Sequence, residues 1–390
     1  MTLQQTDPSS QLQKIQRWGL TAGLIGTALC ALGYSANHER FFESYLLAYV
    51  FWVNISLGSL GLVMLHHMTS GRWSFLIVRI SEAGMRVLPV LALLFVPLLF
   101  GLVDLYPWIS HAENPVIASR GSYLNVPFFI IRSILYFAIW IAMAFLLSRW
   151  SRRQDASADP ALTRSLRLLS APGLVVYALT ATFAAVDWTM SLQPEWSSTI
   201  YGMLAMTGQV LAALAIAAVA LRLLSRSGPL ADVVAPRPLN DLGNMILAFV
   251  ILWAYMSFSQ FLIIWAGNLP DEIPWYLRRL GAGWRTVGLL LIIFHFGVPF
   301  FLLLMRRNKR ALRMLAAIAI GLLVMRMVDV YWVVMPGAVT SGATANWTDL
   351  AAFLAVGGVW VAWFMRQLKG APLLPLHDPR FAVLSEPAGG

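Results

Sequence analysis

Cysteine is almost absent from this chain: Cys30 stands alone in 390 residues. A lone thiol excludes an intrachain disulfide framework, a cysteine-ligated iron–sulfur cluster and a CxxCH haem attachment site, so any redox metal belongs to a partner. Charge is scarce as well, at 12% of residues. No phosphate loop, dinucleotide fingerprint or Ser/His/Asp constellation is legible. What is abundant is apolar: 59% hydrophobic side chains and a mean hydropathy of +0.70, far more than a soluble core of this length needs. The chain reads as an all-α polytopic membrane protein. Its net charge of +10 does not point to nucleic acid, because no soluble domain exists on which the cations would form a patch with stacking aromatics.

The apolar residues fall in runs of membrane-crossing length. A span needs about 20 mostly apolar residues, and ten transmembrane helices fit, near 18–34, 44–66, 87–105, 126–147, 173–190, 200–223, 243–266, 286–305, 312–335 and 350–365. Residues 1–16 read as a short, poorly ordered tail, 17–366 as the membrane domain, and 367–390 as a C-terminal tail. The stretches 151–159 and 225–238 read as polar linkers. A signal peptide competes for the first run, but no small-residue cleavage site is evident, and Leu29 before Cys30 spoils a lipoprotein pattern. Lysine and arginine alternate strictly from loop to loop. One set of loops holds most of the 28 cations, while the other holds only Arg40, Arg120, Arg278, Arg279 and Arg285. The positive-inside rule then places both termini in the cytoplasm.

Two loops carry more order than a turn requires. Residues 187–202 read DWTMSLQPEWSSTIYG, and residues 258–284 read FSQFLIIWAGNLPDEIPWYLRRLGAGW. In the second, Pro270 and Pro274 lack a backbone N–H and bar a continuous helix. Trp265, Trp275, Tyr276 and Trp284 bracket the turn as interfacial aromatics, and Asp271, Glu272, Arg278 and Arg279 are expected to pair within the loop. The series SQFLIIWxGNLPDEIPWY at 259–276 closely resembles a signature of the F subunit of alternative complex III, a bacterial quinol:cytochrome c or quinol:electron-acceptor oxidoreductase. The 187–202 stretch resembles the other loop signature of the same subunit. Asp271 stands where the resemblance expects Glu, and a weaker likeness lies around residues 326–336.

The resemblance, which extends across most of the chain as a pattern of ten helices, implies two four-helix bundles plus peripheral helices, as in the wider family of polysulphide-reductase membrane subunits. It implies assembly with a related ten-helix C subunit carrying the quinol site, an iron–sulfur subunit and cytochrome c subunits. Iron–sulfur clusters and haem c would sit in those partners, quinol in the complex, and no cofactor in this chain. Its own roles would be assembly and proton translocation. Trp188, Glu195, Trp196, Trp265, Asn268, Asp271, Glu272, Trp275 and Tyr276 are then the candidate docking residues. Two other readings stand: the quinol-binding anchor of a polysulphide-reductase-like enzyme, and a proton-coupled transporter, for which no clear internal repeat is visible.

Ionisable residues inside spans form the last signal, since each costs about 2.5 to 3.5 kcal/mol on insertion scales and needs a partner. Arg326 and Asp329, at i and i+3, share a helix face and can neutralise each other. Asp104 and Arg132 lie at comparable depth and read as partners, and the neutralising of Asp329 by Arg326 leaves Asp187 as the better proton-relay candidate of those two carboxylates. His66, His67 and Glu82 lie toward the cytoplasm, the two histidines reading as solvated. His295 has no second intramembrane histidine to complete a haem site, so it reads as a satisfied core histidine or a relay element. Pro89 and Pro299 are expected to kink their helices. Gly357, Gly358 and the alanines from 212 to 220 permit close helix approach.

Overall fold

The computed structural model describes residues 8–384, apart from 112, 158, 226–229, 282, 339–341, 371 and 376. Eleven long helices account for most of it. They are α1 (Pro8–Ala36), α2 (His38–Thr69), α3 (Arg72–Met85), α4 (Leu88–Phe100), α5 (Val126–Ala156), α6 (Pro160–Trp188), α7 (Tyr201–Leu224), α8 (Pro236–Gly267), α9 (Trp284–Leu304), α10 (Leu312–Ala338) and α11 (Trp347–Lys369). Among the described residues, nine helices are long and apolar enough to cross a membrane, ten if α3 and α4, bent by 41° at their junction, are counted together as one span. Lipid offers no hydrogen bonds to exposed backbone, so apolar sequence of this length satisfies its amides only as helix.

Helix ends are set by side chains the sequence supplies. Asn37, Asn125, Asp159 and Asn346 each accept a bond from a first-turn amide, and Asn346 completes a capping box with Asp349. Ser70 and Asn268 adopt left-handed conformations, φ 50° and 49°, that terminate α2 and α8. Pro89 occupies the first turn of α4 rather than its middle, so the break falls just before it, at Arg86 and Val87.

The spans pack around α2, which lies against α7, the α3–α4 pair, α6 and α10, with α1 and α11 along it as an antiparallel pair. Helix α7 also packs on α6, α8 and α10, so the contacts do not separate the spans into two four-helix bundles. Helix α2 is the axis of the molecule, with 94% of its most apolar window buried. Gly58 marks its crossing with α7: a Cβ there would overlap the carbonyl of Gln209, so only glycine admits this approach. Apolar side chains such as Trp18, Leu93, Phe145, Phe258 and Phe301 face outward. In water so broad an apolar surface would aggregate, and in a bilayer it is solvated by lipid.

Three boundaries differ from expectation. The segment from Pro8 to Gln16 is helical and continuous with α1, where Leu12 is buried and Gln16 accepts from Lys369. Helix α5 runs through most of the supposed linker to Ala156. The C-terminal segment folds back, with Leu374 and Asp378 buried and Arg380 donating to the carbonyl of His67.

Candidate functional site

The two signature loops meet at the end of the bundle opposite Pro8 and Lys369. Trp196 from the first stacks on Trp275 from the second, with ring centroids 4.8 Å apart and planes at 17°. Tyr201, Ile264 and Trp275 complete a small apolar cluster with Trp196, and Trp332 of α10 abuts it at 5.3 Å. Arg120 clamps the first loop by donating to the carbonyls of Pro194 and Trp196. A cavity of about 260 Å³ opens between the loops, lined by Ser197, Ser198, Thr199, Gln260 and Glu272.

Arg279 fixes the second loop in a way the sequence concealed. Pro336 has no N–H to offer the carbonyl of Trp332 four residues earlier, and Arg279 Nε donates to that oxygen at 3.1 Å. Its two Nη atoms reach the carbonyls of Trp275 and Val333, and its guanidinium lies 3.5 Å from the Trp275 ring centroid. No carboxylate pairs with it, contrary to the expected loop ion pair. Burial pushes its pKa down to about 9, which leaves it cationic at neutral pH. Burial likewise raises the Tyr276 phenol to about 12.

The docking residues divide into two kinds. Glu195, Trp265, Asn268 and Asp271 are exposed, and Glu272 and Tyr276 are half-buried. Trp196 and Trp275 are interior to the paired loops. Trp188 is not on a docking surface at all. It is 3% exposed, packed against Phe95, Phe137 and Trp140, with Nε1 donating to Ser133. It ends α6 on the inward face, so its neighbours in sequence reach the loop and it does not.

Inside the membrane the charges pair differently from expectation. Arg132 binds Asp187 through two bonds of 2.8 and 2.9 Å, and Tyr136 Oη donates to the same carboxylate at 2.8 Å. Antiparallel α5 and α6 bring these residues to one depth. Asp104 sits on a separate turn, Leu102–Leu105, 3.5 Å from His38, away from Arg132. Asp187 is wholly buried and held by these donors, so the partner of Arg132 is Asp187 and not Asp104 as expected.

Arg326 and Asp329 do pair with each other, as their spacing implies. They border a cavity of about 60 Å³ at the meeting of α2, α6, α7 and α10, mainly apolar but reached also by Asn54, Thr189, Tyr201 and Gln209. At about 30 Å³ of liquid volume per water, that space suits roughly two waters. Asn54 and Gln209 were overlooked in the sequence. Their signal was a lone amide inside an apolar run, where a polar side chain marks a helix contact.

His295 is not a satisfied core histidine. It lies in a π-helical stretch, Leu291–Gly297, with no exposure and, among the described residues, no hydrogen-bond partner at either ring nitrogen. Its ring meets Trp253 edge-on at 4.1 Å. The extra backbone residue of a π turn shifts side-chain direction locally and is frequent at functional sites. At the other end of the bundle His66 and His67 are buried, not solvated. His66 Nδ1 contacts Ser74 Oγ at 2.7 Å, while Glu82 accepts from Arg79, Arg86 and Ser151. Arg79 also pairs with Asp155.

Cys30 is buried and alone, so the chain does not offer a thiolate set for a cluster or a covalent haem. No protein-family model and no curated protein matches the chain.

Proposed function

We propose that this chain is an integral membrane subunit of a bacterial quinol:electron-acceptor oxidoreductase, resembling the F subunit of alternative complex III. The observation that carries the reading is the union of the two signature loops. Segments far apart in sequence, each resembling the same subunit, stack through Trp196 and Trp275 and turn Glu195, Trp265, Asn268 and Asp271 outward together. Such a preformed, rigid surface with a polar rim suits a stable partner. In this reading both termini are cytoplasmic and the paired loops face the periplasm, where an iron–sulfur subunit and cytochrome c subunits dock. A related ten-helix C subunit lies beside it in the membrane and carries the quinol site. Iron–sulfur clusters and haem c supply electron transfer in the partners.

The cavity beside Arg326 and Asp329 supports a second role in proton movement. Its lining is mainly apolar, but Asn54, Thr189, Tyr201 and Gln209 offer amides and hydroxyls that can hold a water against the carboxylate where α2, α6, α7 and α10 meet. The deciding experiment is purification of the tagged chain from its native membranes in mild detergent. The preparation is expected to carry c-type haem, iron–sulfur signals and quinol oxidation. A chain that purifies alone, with no redox subunit in stoichiometric amount, overturns the reading.

A further inference from the structure

The turn between α9 and α10 holds the densest positive charge in the chain. Arg306, Arg307, Lys309, Arg310 and Arg313 fall within one short stretch, of which Arg306–Arg310 is a helical turn. The four arginines are exposed, and among the described residues none of them forms an ion pair. Some cations at this end of the bundle are matched, Arg72 by Asp241, Arg79 and Arg86 by Glu82, and Arg380 by Asp378, while Arg149, Arg153, Arg164 and Arg167 are exposed but spread over a longer stretch of chain. Like charges held closer than a Debye length, about 8 Å at physiological salt, repel unless an anionic surface faces them.

The turn cannot relieve that repulsion by spreading. Lys309 is directed inward, 6% exposed, with Nζ donating to Asn244 Oδ1 at 2.7 Å and its stem lying across Gly243 of α8. Burial and the charge of Arg306 hold its ammonium below the ordinary lysine range. Leu304 and Met305, immediately before the arginines, are exposed apolar side chains at the end of a spanning helix. Exposed guanidinium groups therefore follow directly along the chain from exposed apolar side chains at the end of a span.

From this arrangement we infer that the Arg306–Arg313 turn is a binding site for the phosphate headgroups of anionic phospholipids, with Leu304 and Met305 against their acyl chains. Guanidinium forks match phosphate oxygens two at a time, which an unanchored lysine cluster would not do. The site is independent of the proposed redox role, because it needs only the membrane.

The test uses the tagged chain with whatever subunits accompany it, in neutral detergent, titrated with fluorescent cardiolipin and with fluorescent phosphatidylcholine. Cardiolipin is expected to bind at least about tenfold more tightly. Arg306→Gln/Arg307→Gln/Arg310→Gln/Arg313→Gln together should abolish that preference, whereas Arg149→Gln/Arg153→Gln/Arg164→Gln/Arg167→Gln, equally exposed at the same end, should keep it. Where the fourfold variant fails to fold, Arg310→Gln alone should weaken cardiolipin by about fivefold. Equal losses in both fourfold variants would show diffuse surface charge and overturn the site. Complete competition by millimolar inorganic phosphate would show a free-phosphate site instead. Retained preference after removal of the four arginines, or displacement of cardiolipin by an acidic subunit in the same preparation, would also refute it.

Discussion

Polar side chains within the spans are matched one by one, and the matching decides what each can do. Asp187 has two guanidinium bonds and a phenol donor, so removing its charge strands Arg132 in a dry setting. Breaking one partner of a buried pair costs about 3 to 5 kcal/mol. Asp187→Asn should therefore lower the midpoint of thermal unfolding in detergent markedly, and an unchanged midpoint would show that the pair contributes nothing. Asp329 has the same kind of partner but also borders the cavity that Asn54 and Gln209 line. Asp329→Asn is expected to assemble and to reduce protons released per electron in reconstituted vesicles, an outcome that an unaltered ratio would exclude. The difference between the two carboxylates was only half legible. Spacing of three residues announces the Arg326 pair, whereas nothing local tells Arg132 to choose Asp187 over Asp104.

At the scale of elements, loops that look like independent turns behave as one body. The aromatic stack between Trp196 and Trp275 is buried, and Arg279 ties its second half to the carbonyls left free near Pro336. Stacked aromatic pairs couple by about 0.5 to 1.5 kcal/mol beyond their burial. A double-mutant cycle with Trp196→Ala and Trp275→Ala, read by thermal unfolding, should show coupling of about that size. Strict additivity would mean that the loops are held separately. The proline was visible in the sequence, but the guanidinium that answers it comes from a segment more than fifty residues earlier. Contact across such a separation is set by how α8, α9 and α10 pack, which helix periodicity does not encode.

For the whole molecule, the spans and their order set which ends lie together. Gly19 of α1 lies against Ala362 of α11 and Gly33 against Thr348, so this pair is antiparallel and both described ends of the chain emerge on one face. Reporter fusions after residue 157 and at the C-terminus should then report the same compartment, the cytoplasm if the positive-inside rule holds, and a fusion after residue 272 the opposite one. A cytoplasmic signal at 272 would refute this topology.

The sequence by itself determined that the chain is a many-helix membrane protein and roughly where most of its spans lie, because their signal is long-range hydropathy imposed by a solvent about 30 Å thick, but not the helix 72–85, which pairs with 88–100 where a single span near 87–105 was expected. It also determined which loops are cationic and which ion pair closes within one helix turn. Tertiary structure alone decided that Trp188 is core rather than surface, that His67 and His295 are buried without partners, and that Asn54 and Gln209 share a cavity with Asp329. The physical reason is that lipid is as apolar as leucine. It sets no inside-to-outside polarity on a helix, so α10 can present lipid-facing Ile320 and Val324 and cavity-facing Asp329 with little trace of amphipathic periodicity, and only packing reveals which face is which.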